Sequence, residues 1–60
     1  MTYYAVIKID TLEVLHVGTN SHAAAVVLRQ GTCHGRGATE RAAIEEARHW
    51  AMWFRARRAA

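Results

Sequence analysis

The chain has no proline, a single cysteine and no long apolar run. Because one cysteine cannot form an internal disulfide, the lone thiol of Cys33 is typical of a protein kept in a reducing compartment. The longest apolar stretches fall far short of the roughly 20 residues that are needed to span a bilayer. The opening residues 1–4 also lack the basic start of a secretory signal peptide. These absences together predict a cytoplasmic protein that does not enter a membrane.

The residue types that most often carry metal binding and catalysis are few and poorly spaced. No CxxC, HxxxH or HExxH pattern relates the candidate metal ligands, which are His16, His22, Cys33, His34 and His49. A catalytic site needs a nucleophile, a base and an orienting group, or paired carboxylates, inside a cleft. Sixty residues can hardly enclose a pocket of about 300 Å³ or more. The sequence therefore predicts a binding protein with no metal, no cofactor and no enzymatic activity.

The small size of the chain predicts self-association. A chain of 60 residues buries only roughly 60% of its unfolded surface on folding. Twelve of these residues are alanine, so large side chains for a core are scarce. Oligomerisation is a usual way to compensate for such a deficit, and a homodimer is its simplest form. The net charge of +3 permits an acidic partner without requiring one.

The first part of the chain predicts a β-hairpin. Residues 3–9 and 12–17 are rich in β-branched and aromatic side chains, and Asp10 and Thr11 lie between them. If Asp10 and Thr11 form the loop, Lys8 lies opposite Glu13, an ion pair that supports this register, and Val6 lies opposite Leu15. The alternative is a slightly longer loop, because Thr disfavours the positive φ of a type I′ turn. Both hairpin faces are apolar, and the helices of the chain can cover only one of them. The other face is therefore predicted to bind a second copy or a target protein through Tyr4, Val6, Leu15 and Val17.

The rest of the chain predicts two helices around a short strand. Residues 22–30 read as a helix that ends at Gly31, residues 32–34 as a strand and residues 35–38 as a loop. Thr39 caps a long helix over about residues 40–58. The predicted fold is a single α+β domain over residues 1–60, in the order β-β-α-β-α, with the antiparallel hairpin packed on the long C-terminal helix.

The C-terminal helix carries a predicted buried stripe and a predicted partner surface. The buried stripe is predicted from helical spacing at Ala43, Ile44, Ala47, Trp50, Ala51 and Phe54. Met52 and Trp53 lie off this stripe, and Arg57 lies beside Trp53. An exposed tryptophan next to an arginine is typical of an interface hot spot. We therefore expect Met52, Trp53 and Arg57 to contact a partner; the alternative is that this side of the helix packs on the first helix.

Two other segments are candidate sites for negatively charged ligands. A small anion such as a nucleotide phosphate could be held by a glycine loop before a helix, at Gly35, Arg36, Gly37 and Thr39. Ordinary turn chemistry explains the same glycines equally well. Nucleic-acid phosphates could be contacted by the C-terminal cluster of Arg55, Arg57 and Arg58. The alternative is a solvated helix end that complements the helix macrodipole.

Several segments resemble a known family. Cys33, the run 37–39 (Gly-Ala-Thr) and the run 43–45 (Ala-Ile-Glu) with Ala47 are similar to the Gly-Cys…Gly-Asp-Thr…Glu-Ala-Leu…Ala segment of HicB-type antitoxins. The opening run 3–7 (Tyr-Tyr-Ala-Val-Ile) is similar to the start of that domain. The resemblance covers about half of the chain. It implies a small sheet-and-helix domain that oligomerises and blocks a toxin ribonuclease.

Three functions are consistent with the sequence. The first is a dimeric inhibitor or antitoxin-like regulator that acts by protein–protein contact. The second is an oligomeric sponge for a small anionic ligand such as a nucleotide, a role suited to a virus-encoded protein. The third is a nucleic-acid-binding protein that uses the C-terminal arginines.

Overall fold

The computed structural model describes residues 1–59, which form a three-stranded sheet and two helices. The elements along the chain are β1 (Tyr3–Lys8), β2 (Val14–Gly18), α1 (Ser21–Val27), β3 (Thr32–Gly37) and α2 (Glu40–Ala59). The predicted α+β class and the β-β-α-β-α order are confirmed. The predicted loop over residues 35–38 is wrong, because β3 continues through residue 37. Within residues 1–59 neither helix is long and apolar enough to cross a membrane.

The central strand of the sheet is β1. It pairs antiparallel with β2 on one side and with β3 on the other, so that β3 is a free edge. The Ile9 amide donates to the Gly31 carbonyl at 2.9 Å, and the register continues unbroken to Tyr3 and Gly37. Hydrogen-bonded pairs alternate along an antiparallel ladder. The odd-numbered residues of β3 therefore bond to β1, and the even-numbered residues direct their backbone groups outward.

The loop between β1 and β2 is longer than the two residues predicted. The Lys8 amide donates to the Glu13 carbonyl at 2.9 Å, and the Leu12 amide donates to the Lys8 carbonyl at 2.9 Å. Leu12 adopts a positive φ of 63° to close the loop. The side chains of Lys8 and Glu13 approach to 3.8 Å, which confirms the predicted cross-strand ion pair.

A β-bulge changes the register of the hairpin beyond the loop. The register shifts between Val6 and Ile7, so that Val6 lies opposite His16 and Ala5 lies opposite Val17. The predicted pairing of Val6 with Leu15 is therefore wrong. The extra residue of a bulge moves the following side chains to the other face of the sheet. For that reason Val17 packs on the α2 side instead of the side predicted to meet a partner.

The two helices lie on opposite faces of the sheet. Helix α1 packs on β1 and β2, α2 packs chiefly on β3 and β1, and within residues 1–59 no Cα atom of one helix lies within 8 Å of a Cα atom of the other. Val6 and Ala24 are buried on the α1 side, whereas Ala5 and Ile7 belong to the core on the α2 side. The prediction of an uncovered hairpin face is wrong, because α1 covers it.

Small residues bring α2 close to the sheet. Ala43, Ala47 and Ala51 form a fully buried stripe on the helix, and Gly35 of β3 faces this stripe. A Cβ atom at Gly35 would lie 2.3 Å from the backbone nitrogen of Ala47 and 2.6 Å from the carbonyl oxygen of Ala43. Glycine at this position permits the close approach of two backbones.

Candidate partner-binding surfaces

A groove of about 680 Å³ follows the free edge of β3. Its floor is the face of β3 on the α1 side, which α1 leaves uncovered because it packs on β1 and β2. One wall is α1 and the other is the side of α2. The lining residues are Tyr4, Ser21, Ala24, Ala25, Leu28, Thr32, Cys33, His34, Arg36, Glu46, Trp50 and Phe54. The sequence predicted that 60 residues can hardly enclose a pocket of this size. The groove reaches it because it is not enclosed and opens to solvent along the sheet edge.

The floor of the groove carries two basic side chains beside a tyrosine. Tyr4 lies opposite Arg36, and Val6 lies opposite His34, so all four side chains share one face of the sheet. His34 and Arg36 are exposed, and Tyr4 is half-buried. The structure thus brings together Tyr4, predicted on the hairpin face, and Arg36, predicted in the anion site. The sequence did not predict this juxtaposition.

The backbone of β3 presents unpaired hydrogen-bonding groups to the groove. The N–H and C=O groups of His34 and Arg36 point away from β1, and no group within residues 1–59 bonds to them. Thr32 differs, because its amide and its hydroxyl both donate to the Arg29 carbonyl, at 3.1 Å and 2.6 Å. A strand edge with free N–H and C=O groups can accept a further strand.

One side of α2 carries a row of exposed aromatic and charged side chains, which we call the aromatic flank: Glu46, Trp50, Trp53, Phe54 and Arg57. The Trp50 and Trp53 rings meet edge to face at 5.9 Å, and the Trp53 and Phe54 rings at 5.0 Å. The Arg57 guanidinium lies 4.8 Å from the Trp53 ring centroid. Trp50 and Phe54 are each 40% exposed, so their predicted burial is wrong. They extend beyond the edge strand, where no further strand covers them.

Met52 and Trp53 are both exposed, as predicted, at 53% and 42%. They do not form one surface, however, because one residue step turns a helix by 100°. The Met52 sulfur instead lies 3.8 Å from Nη1 of Arg55. The alternative prediction, that this side of the helix packs on α1, is wrong because α1 and α2 lie on opposite faces of the sheet.

The predicted partner-binding face of the hairpin is divided by the structure. Val6 is fully buried, and Val17 packs against the core on the α2 side. Leu15 is half-buried. Only Tyr4 of the four predicted residues reaches the groove. As a single surface, this predicted site is therefore wrong.

The predicted anion site does not have its expected geometry. Gly35 and Gly37 lie in β3, where their amides belong to the ladder with β1 and are not free to bind a ligand. The Thr39 hydroxyl accepts a hydrogen bond from the Ala42 amide at 3.0 Å and so caps α2. Only Arg36 of this set lines the groove. The prediction of a glycine loop is therefore wrong, and the binding of an anion to this segment stays a prediction.

The three C-terminal arginines have separate contacts within the chain. Arg58 Nη2 donates to Asp10 Oδ1 at 2.6 Å. Arg57 lies over Trp53, and Arg55 lies beside Met52. All three arginines are exposed. Nucleic-acid binding by this cluster stays a prediction.

The contact between Asp10 and Arg58 predicts a pH dependence of stability. The hydrogen bond and charge of Arg58 lower the pKa of Asp10 below its ordinary value of 3.8. A carboxyl whose folded pKa is lowered contributes stability above its unfolded pKa, and loses that contribution as pH falls through the folded pKa. We expect Asp10→Asn to be slightly less stable than the unchanged protein at neutral pH and equally stable in strong acid. Urea unfolding at the two pH values measures the difference, and a difference that persists in strong acid would contradict this explanation.

Cys33 and the histidines do not converge on a common site. Cys33 is buried, its thiol donates to the Ala47 carbonyl at 3.2 Å, and burial raises the pKa of the thiol. His16 Nε2 is also buried, with no hydrogen-bond partner in the described part of the chain. Among residues 1–59 no group of three or more His, Cys, Asp and Glu side chains is placed to hold a metal ion.

No protein-family model, no curated protein and no solved structure matches this chain. The resemblance to HicB-type antitoxins therefore stays a prediction. In the structure the segments that carry it lie in β1, in β3 and the turn that follows it, and in the first half of α2. They are the segments where α2 begins and where it packs against the sheet.

Proposed function

We propose that this protein is a small, non-enzymatic binding protein of the cytoplasm that self-associates and regulates another protein, as an antitoxin or an inhibitor does. It binds an extended acidic segment of that protein as an additional strand along β3. The observation that carries this proposal is the pair of unpaired backbone positions, His34 and Arg36, on the free edge that borders an open groove.

Strand addition makes use of both the edge and the walls of the groove. Backbone hydrogen bonds to an edge strand supply affinity, and pockets for alternate side chains supply specificity. A segment paired with β3 would direct alternate side chains to the two faces of the sheet. On one face they meet Leu28 of the α1 wall, and on the other they meet Phe54 of the α2 wall.

The charges of the groove favour acidic side chains on one face of the incoming strand. Arg36 lies on the α1 side, whereas Glu46 lies on α2. An aspartate or glutamate opposite Arg36 would form a charge-assisted hydrogen bond. An arginine on an edge strand also discourages pairing with strands that carry no acid. The segment recognised is therefore one that alternates acidic and apolar residues.

The two other functions have less support. A nucleotide sponge depended on a glycine loop, but Gly35 and Gly37 are strand residues whose amides bond to β1. A nucleic-acid binder depended on free arginines, but Arg58 is paired with Asp10. Neither alternative explains the open edge of β3.

A labelled peptide of alternating valine and aspartate tests the proposal. We expect fluorescence anisotropy to show that the protein binds this peptide more tightly than the matched valine–lysine peptide. Arg36→Glu should weaken binding of the acidic peptide by about tenfold or more and favour the basic one, because truncating or reversing one member of a charged pair removes at least about 1.4 kcal/mol. Amide hydrogen exchange should slow at His34 and Arg36 when the acidic peptide is bound.

Arg41→Glu is the matched control, since it makes the same charge change at an exposed position on α2 away from the groove. Binding should survive this change. If Arg41→Glu and Arg36→Glu weaken binding equally, the attraction is a general charge effect and the site is wrong. Unchanged exchange at His34 and Arg36 would exclude strand addition.

A further inference from the structure

We infer that two copies of this chain associate through the aromatic flank, with the two α2 helices antiparallel about a two-fold axis. The inference deepens the self-association in the proposed function, because it names the surface and the residues that pair. It rests on the order of side chains along α2, on their exposure and on their charges.

The order of side chains along the flank is self-complementary. Glu46, Trp50, Trp53 and Arg57 follow one another at spacings of four, three and four residues. In an antiparallel pair related by a two-fold axis, Glu46 of each copy meets Arg57 of the other, and Trp50 meets Trp53. Such an axis pairs one surface patch with the same patch of the other copy, so the patch must be complementary to itself. The flank meets this requirement because its two ends carry opposite charges.

The same spacing suits helix–helix packing. Alternating steps of three and four residues place side chains along the seam of a coiled coil. At 100° per residue these four positions lie within about 60° of one another and about a quarter turn from Ala47, which faces the sheet. These four side chains are therefore available to contact a second helix while α2 stays packed on β3.

The tryptophans of the aromatic flank are exposed to an extent that favours burial against a partner. Trp50 and Trp53 are 40% and 42% exposed although their rings already pack against each other. Tryptophan and arginine are the residues most enriched in interface hot spots. Arg57 covers one face of Trp53 from within the chain and places its guanidinium at the end of the seam.

A second copy fits this surface better than an unrelated helix does. An unrelated helix would need an acid and a base at the matching spacing, whereas a second copy supplies both by symmetry. The opposite charges at the two ends also select the antiparallel orientation, since a parallel pair would place Glu46 beside Glu46 and Arg57 beside Arg57.

Charge reversal tests the pairing through the oligomeric state measured by sedimentation equilibrium. We expect the unchanged protein to be a dimer, and both Glu46→Arg and Arg57→Glu to raise its dissociation constant at least about tenfold, because each change makes both symmetric pairs repulsive. An equimolar mixture of the two variants should form a heterodimer, since both of its pairs are attractive. The double variant should dimerise with itself for the same reason.

Glu45→Arg and Arg55→Glu are the matched controls, because they lie on α2 outside the flank and should leave the dimer intact. A monomeric unchanged protein, or a mixture of the variants that stays monomeric, would overturn the inference. Circular dichroism shows that each variant is folded. Binding of the acidic peptide by Arg57→Glu separates the two proposals, because Arg57 does not line the groove. If Arg57→Glu loses the dimer and still binds the peptide, the strand-binding site on β3 does not depend on dimerisation.

Discussion

Gly35→Ala should destabilise the protein by about 3 kcal/mol or more, which is the upper range for overpacking a core. The added methyl group would lie 2.3 Å from the Ala47 nitrogen, so α2 must move away from β3. For a domain of this size the change lowers the midpoint of thermal unfolding by about 12 °C or more. Thermal unfolding followed by circular dichroism measures the shift.

Gly18→Ala is the matched control, because it makes the same change in another strand. A Cβ at Gly18 would meet only the His16 side chain, at an ordinary distance of 3.6 Å. We expect its free energy of unfolding to change by less than about 1 kcal/mol, because the native contact is unstrained and the unfolded chain loses some freedom. Equal losses for Gly35→Ala and Gly18→Ala would mean that the contact with α2 is not the cause.

Proline should be much more destabilising at position 33 of β3 than at the neighbouring position 34. Proline removes a backbone N–H and is tolerated in a sheet only where that N–H points away from the ladder. The Cys33 amide bonds to β1, whereas the His34 amide points to the groove. We expect Cys33→Pro to lower the free energy of unfolding by about 3 kcal/mol or more, and His34→Pro to lower it by less than about 1 kcal/mol. Urea unfolding of both variants gives the comparison.

Cys33→Ala separates the loss of the thiol from the loss of the amide, since it keeps the backbone hydrogen bond. His34→Pro should stay folded yet fail to bind the valine–aspartate peptide, because a donor at the edge is missing. If His34→Pro unfolds while Cys33→Pro does not, the assignment of the outward-facing residues is reversed. If His34→Pro binds the peptide normally, the segment does not add as a strand.

The order of elements could be predicted from the sequence because each signal is local. β-Branched runs marked β1 and β2, and Thr39 with the alanines at helical spacing marked α2. The extent of β3 could not be predicted in this way. Glycine disfavours a strand by itself, and at Gly35 it is required by the helix that packs above it. Tertiary contact overrode local propensity at that position.

The surfaces were harder to predict than the elements. Helical spacing wrongly placed Trp50 and Phe54 on the buried stripe, because it carries no information on where the sheet ends. The bulge at Val6 was also hidden, because a period of two cannot show where one extra residue lies. The groove depends on β3 being the edge strand, and strand order is a property of the whole fold. The exposure of Met52 and Trp53 was predicted because it needs only the helical wheel.

The alanine and glycine packing between α2 and β3 also determines how the protein responds to heat and denaturant. Ile7 and Val6 are the only large side chains among those fully buried within residues 1–59. Unfolding therefore exposes little apolar surface for a chain of this length, and the heat capacity of unfolding scales with that surface. The free energy of unfolding then varies gently with temperature and with urea concentration. We therefore expect broad unfolding transitions, with a small heat capacity change and a shallow urea slope for a chain of this length.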